Sequence, residues 1–233
     1  MTPEQFYARY PSMKPYEGQH YEAGGRPRLL LVGESHYLPE QATQHLDAAT
    51  WYQGSQETLA AEELRCTGAQ GEWRRWIDTA GAVSRACATN FANKAHWIWK
   101  NAFEVINEAG PGYPMARDVA DDVAIFNFFL RPAREHDSLR GHLTEQDFDL
   151  ANVLFEHRIA DLQPRAIAFV SRLAAKKCQL LERLEMPIVV TCHPSSAWWN
   201  RRSDKYEGRC GREILAAFVR DRVRWREPVG DAH

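Results

Sequence analysis

Four short apolar runs constrain this chain more than any other feature: RLLLV (28–32), VAIFNFF (123–129), AIAFV (166–170) and IVVTC (188–192). Each is continuous rather than alternating, which is the pattern of strands covered on both faces, as in a parallel sheet. Parallel neighbours need crossover connections of a dozen residues or more, and helical periodicity fills the gaps. Residues 91–109 set Trp97, Ile98, Phe103 and Ile106 on neighbouring turns before Gly110 and Pro111 stop the run. TEQDFDLANVLFEHRIADLQP starts at Thr144, with Asp147 three residues on as a capping partner, and ends at Pro164. Residues 173–184 span the third crossover and 212–225 close the chain. The expected fold is therefore α/β: a three-layer α/β/α sandwich around a parallel sheet, forming one domain over residues 1–233. Residues 38–90 are too many for a plain loop, and the tryptophans beside Arg74 and Arg75 predict extra helices there.

Composition removes several function classes. No apolar stretch approaches the roughly eighteen residues of a membrane helix. The first residues, MTPEQFYARYPSMKPYEG, lack the basic and apolar regions of a secretory signal, so a cytoplasmic protein is expected. The five cysteines (Cys66, Cys87, Cys178, Cys192, Cys210) include no C-x-x-C pair, which argues for reduced, packed thiols. His36, His136, His142 and His193 lack the paired spacing of a metal site, and no metal or cofactor is expected. A net charge of −2 gives no global attraction to nucleic acid, though a local basic patch would suffice to grip phosphates.

In open α/β sheets ligands sit beyond the carboxyl ends of the strands, so the residues leaving each run are the informative ones. Gly33, Glu34, Ser35, His36 and Tyr37 follow the first. Asn127 interrupts the second, with Arg131 and Pro132 just beyond, and Ser171 follows the third. His193, Pro194, Ser195 and Ser196 follow the fourth. An imidazole in such a place can donate to a group that gains negative charge during reaction. An amide there carries two donors and an acceptor, and burying it unpaired costs roughly 1–3 kcal/mol, so a pocket-facing Asn suits a flat heterocycle. An Asn bonded to adjacent backbone, and a His that merely ends a strand, are the structural alternatives. WWNRRSDKYEGR (198–209) interleaves Trp198, Trp199 and Tyr206 with Arg201, Arg202, Lys205 and Arg209, the composition of a wedge into stacked bases with phosphate contacts behind it. For Trp199 packing onto a helix is the expectation. RDRVRWRE (220–227) is expected on the exposed face of a terminal helix.

The blocks LLLVGESHY, AIFNFFLRP, AIAFVS and PIVVTCHPSS, in this order, resemble the uracil-DNA glycosylase superfamily. Its members carry a GQDPYH- or GEAPG-type turn, a strand ending in Asn and a last strand ending in HPS. The resemblance implies a four-stranded parallel sheet of order 2-1-3-4, and removal of a flipped, deaminated base from deoxyribose. It implies that Asn127 reads the base edge, that Tyr37 excludes thymine, and that Gly33 and His36 complete the base pocket. His193 would donate to the carbonyl oxygen that gains charge as the base leaves. Ser195 and Ser196 would touch phosphates, and Trp198, Arg201, Arg202 and Lys205 would lie against DNA. Two departures follow from the same comparison. Ser35 stands where the GQDPYH form has its water-orienting Asp, so that task falls to Glu34, which matches the acid of the GEAPG form. The cysteine spacing of that form's iron–sulfur cluster is missing, and no cluster is expected. The stacking aromatic has no clear match; Trp51 and Tyr52 are candidates. The expected partner is DNA, with no membrane and with the chain acting as a monomer.

Two other readings stand beside this one. The same pocket could bind a nucleobase, nucleotide or DNA end without turnover, given the serine at position 35. Alternatively, Gly33-Glu34-Ser35 resembles the GDS turn of SGNH hydrolases, with Ser35 as nucleophile. That family places an Asp three residues before its His, where this chain has Val190.

Overall fold

Strand periodicity sorts the central side chains between two separate cores. The computed structural model describes residues 1–23 and 25–225. Its strands are β1 (Tyr16–Glu17), β2 (Leu29–Gly33), β3 (Tyr37–Leu38), β4 (Val123–Asn127), β5 (Ala133–Arg134), β6 (Ala166–Phe169) and β7 (Ile188–Val190). Its helices are α1 (Pro3–Arg9), α2 (Ala48–Gln53), α3 (Gln56–Thr67), α4 (Thr79–Ala88), α5 (Trp97–Ala109), α6 (Glu145–Leu162), α7 (Arg172–Lys177) and α8 (Gly211–Arg222). Leu30, Val32, Phe126, Ile167 and Phe169 turn to one face, against Phe6 of α1, Trp51 and Tyr52 of α2 and Leu154 and Phe155 of α6. Leu29, Leu31, Ile125 and Ala168 turn to the other, against Val83 of α4, Phe103 and Ile106 of α5 and Leu215 and Phe218 of α8. Helices therefore cover both faces of a mainly parallel sheet, and its inner strands β2, β4 and β6 are almost wholly apolar because neither of their faces meets water.

The main sheet has five strands, in the order β1-β4-β2-β6-β7, where the sequence reading expected four. β2, β4, β6 and β7 are parallel, and β1 adds an antiparallel edge through Tyr16 opposite Ile125. Two residues are too few to show a period, so β1 left no trace in the sequence. β4 also ends earlier than its apolar run, at Asn127, after which the Phe128 and Phe129 N–H groups donate to Gly33 and Glu34 carbonyls. β3 and β5 form a separate parallel pair just beyond the strand ends.

The capping expectation at Thr144 is met: its hydroxyl accepts from the Asp147 N–H, and the Asp147 carboxylate accepts from the Thr144 N–H. The expected helix over 173–184 is cut to α7. Asn152 of α6 donates to the Lys177 carbonyl and accepts from the Gln179 N–H, giving that backbone partners outside a helix. Residues 91–96 stay outside α5, and the last helix stops at Arg222, with Arg220 and Arg222 exposed. Residues 226 and 227 of the basic run lie outside the described residues. The 38–90 segment holds α2, α3 and α4, as its length requires. Among the described residues, no helix is long and apolar enough to cross a membrane.

A charged pair lies inside the fold. Arg131 is 1 % exposed and grips Asp147 bidentately, Nε to Oδ1 at 2.8 Å and Nη2 to Oδ2 at 2.7 Å. Its other donors meet the His45 and Leu46 carbonyls, and Tyr52 Oη donates to Asp147 at 2.9 Å. Arg131 thus ties the loop after β4 to α2 and α6. It is a structural anchor, although its place after a strand drew attention in the sequence.

Candidate active site

The parallel strands bring four turns to one edge of the sheet, where they open on a cavity of about 810 Å³. Glu34, Ser35, His36 and Tyr37 enter it from β2, Asn127 from β4, and His193 and Ser195 from the turn after β7. Three peptides far apart in sequence therefore converge on one space. Gly33 and Asn127 are paired in register, and the Asn127 Oδ1 lies where a Cβ on Gly33 would be. Only a residue without a side chain leaves the amide that position. Among the described residues, the Asn127 amide has no hydrogen-bond partner, so its donors and acceptor stay available to a ligand.

Ser171, which follows β6 and is 1 % exposed, donates from Oγ to Glu34 Oε2 at 2.7 Å. The same oxygen accepts from the Ala174 N–H at 3.2 Å and caps α7. One carboxylate oxygen of Glu34 is thereby oriented, and the other remains free to take a proton from water.

His193 is held on its Nδ1 side. The Ser195 N–H donates to Nδ1 at 3.3 Å and the Ser195 hydroxyl lies 2.7 Å from it. A nitrogen that accepts from a backbone N–H carries no proton, so the ring proton sits on Nε2. Burial lowers the His193 pKa to about 4, which keeps the ring neutral at physiological pH. Asn101 of α5 donates to the Pro194 carbonyl at 2.8 Å and fixes the turn from behind. A hydrolase with Ser35 as nucleophile would need a carboxylate at Nδ1; here Ser195 occupies that side.

His36 is pinned more deeply. Its Nε2 lies 3.0 Å from Thr79 Oγ1 on α4, and burial lowers its pKa to about 4 against the pull of Asp78 and the Trp76 carbonyl. Tyr37 is 40 % exposed at the cavity, its hydroxyl pKa raised by burial and by Glu34.

The proposed DNA-facing residues separate into groups. Ser195 lines the cavity, whereas Ser196 Oγ is buried and has no hydrogen-bond partner among the described residues. Trp198 is 48 % exposed on the short 3-10 turn Ala197–Trp199, while Trp199 is buried at 1 %, as its sequence context suggested. Arg201 and Lys205 are exposed; Arg202 is held by Glu213 of α8 through Nε at 2.9 Å. Trp51 and Tyr52 do not reach the cavity: Trp51 stacks on Tyr10 at 4.2 Å and Tyr52 bonds Asp147. Trp76 and Trp99 line the cavity, as do Arg75, Lys94 and Arg85, the last bonded to Asp78 and the Arg75 carbonyl. These come from the helical segment 38–90 and its continuation, where sequence alone marked only Trp beside Arg. Ser171 carried one local signal, a serine directly before a helical run.

A second cavity of about 570 Å³ opens at the opposite end of the sheet, lined by Arg26, Arg165, Arg220, Arg222 and Arg224 with Asp221, and shares none of these groups. Among the described residues, no cluster of His, Cys, Asp or Glu is placed to hold a metal ion. No protein-family model matches the chain, and no curated protein matches it either.

Proposed function

We propose that this protein is a divergent relative of the uracil-DNA glycosylases that hydrolyses the N-glycosidic bond of a flipped, deaminated or damaged base in DNA. The observation that carries the reading is that Glu34, Asn127 and His193, each from a different strand end, line one cavity. The mainly parallel sheet, in which β4, β2, β6 and β7 lie side by side, supports the reading.

The residues divide the work as follows. A duplex base must leave the stack to be reached, and Trp76 and Trp99 offer flat faces for it. The free Asn127 amide reads its edge. As the glycosidic bond breaks, its electron pair stays with the base and positive charge grows on the sugar. The His193 Nε2–H donates to the base oxygen that gains charge, an interaction worth roughly 10²–10³ in rate. Glu34, oriented by Ser171, takes the proton of the water that attacks the anomeric carbon. Losing such a base costs about 10²–10⁴. Arg75, Arg85 and Lys94 at the rim suit the phosphates flanking the base, with the exposed Trp198 beside Ser195 as the wedge.

The test is an oligonucleotide panel bearing uracil, hypoxanthine, xanthine and alkylated bases, single-stranded and mismatched, treated with alkali after incubation. Nicking is expected at one class of base and should be lost in Glu34→Ala and His193→Ala. Mutants that nick as well as the parent would sink the assigned roles. Ser35 lines the cavity and, among the described residues, has no hydrogen-bond partner, which favours one other reading: a non-catalytic nucleobase or DNA-end binder. That reading predicts thermal stabilisation by a base or oligonucleotide with no nicking across the panel.

A further inference from the structure

The second cavity, about 570 Å³ at the amino-terminal edge of the sheet, gathers charge of one sign. Arg26 reaches it from the segment entering β2, and Arg165 from the residue before β6. Arg220 and Arg222 come from the last turn of α8, and Arg224 lies just beyond that helix. These five arginines share the lining with a single acid, Asp221, in a chain whose formal net charge is −2.

Internal partners account for one of the five. Arg26 is held through Nη1, which donates to Tyr113 Oη at 3.1 Å and lies 3.2 Å from Oδ1 of the buried Asp122. Arg165, Arg220, Arg222 and Arg224 are exposed, and among the described residues their side chains have no hydrogen bond, ion pair or ring contact. A helix C-terminus attracts cations, which explains Arg220 and Arg222 on α8. It does not explain Arg26 and Arg165, which arrive from segments that enter strands, or the meeting of both groups at one concavity. Like charges brought together repel, and an anion among them removes that cost.

The chemistry of the cations selects the anion. A guanidinium stays charged, and its planar fork matches phosphate oxygens two at a time. A lone phosphate occupies one or two such forks. Four unpaired guanidiniums around a space of this volume suit several phosphates joined together. Pro27, Pro187 and Val223 line the same space and keep water from part of its wall, which strengthens each charged contact.

We propose that this cavity binds a chain of linked phosphate groups, pyrophosphate or longer, through Arg165, Arg220, Arg222 and Arg224, with Arg26 as the fixed member. It lies at the end of the sheet away from Glu34, Asn127 and His193, so it stands whether or not the glycosylase reading holds.

The experiment is a calorimetric titration of tripolyphosphate into the whole protein in metal-free, phosphate-free buffer, with thermal melting in parallel. Saturable binding and a raised melting temperature are expected, and orthophosphate or sulfate at equal ionic strength should bind at least about tenfold more weakly. Arg165→Gln and Arg222→Gln should each weaken tripolyphosphate about tenfold. Arg65→Gln, the same charge change on the exposed surface of α3, should not. Since the replaced groups are unpaired and repel one another, neither variant should melt below the parent without ligand. Absence of saturable binding, an equal response to sulfate, parental affinity in the Arg165→Gln/Arg222→Gln double variant, or single variants that melt well below the parent overturn the proposal. Competition separates the sources of the ligand. Displacement of tripolyphosphate by a nucleoside triphosphate identifies a free nucleotide, displacement by an undamaged oligonucleotide alone identifies a nucleic-acid strand, and displacement by neither identifies an inorganic chain.

Discussion

Replacing Ser171 by Ala removes two hydrogen bonds that share one oxygen, and a double-mutant cycle can separate them. The bond to the Ala174 N–H is a helix cap, worth about 1 kcal/mol. The bond to Glu34 Oε2, at 2.7 Å, has a carboxylate acceptor and is worth about 1.5–3 kcal/mol when sheltered from water. Glu34 is half-buried, which argues for the lower end. Ser171→Ala should therefore cost about 2.5 kcal/mol in urea denaturation at neutral pH. In a Glu34→Ala background the same change should cost only the cap, leaving a coupling of about 1.5 kcal/mol. If Glu34 handles the attacking water as proposed, Ser171→Ala should also slow base excision more than it weakens substrate binding, since it loosens that carboxylate. A coupling indistinguishable from zero would refute the claim that Ser171 orients Glu34.

Other outcomes can be checked with the same methods. Arg131→Met leaves the Asp147 carboxylate buried without its cation and should cost about 3–5 kcal/mol, with much of the loss recovered in Arg131→Met/Asp147→Leu. A loss under about 1 kcal/mol would mean the pair is solvated. His36 and His45 are buried with pKa values lowered to about 4 from 6.5, so the unfolded chain binds more protons between those values. Stability is then fully present above pH 6.5 and falls as pH drops toward 4, by about 2 kcal/mol for each histidine between pH 7 and pH 5. In phosphate-free buffer His45→Leu should flatten that slope; an unchanged slope would place the ring in water.

Much of the fold was legible because it rests on patterns with a period. Continuous apolar runs marked β2, β4, β6 and β7, and the Thr144–Asp147 spacing marked the start of α6. Candidate residues at strand ends followed from the same reasoning, since parallel strands deliver their carboxyl ends to one edge. What escaped was non-periodic. Ser171 and Glu34 are 137 residues apart, and nothing local announces their bond. Trp51 and Tyr52 were credible stacking residues until the orientation of α2 turned them into the core, a matter of tertiary packing. Trp76 and Trp99 became cavity walls for the converse reason.

The close seating of Asn127 against the bare α-carbon of Gly33 makes main chain, rather than rotamers, the floor of the recess. Anyone re-tooling what the recess accepts has little latitude at that level, because any side chain at position 33 evicts the amide. Tyr37 at the entrance and Trp76 on the flank are the adjustable parts, and a directed-evolution library would do best to leave the floor alone.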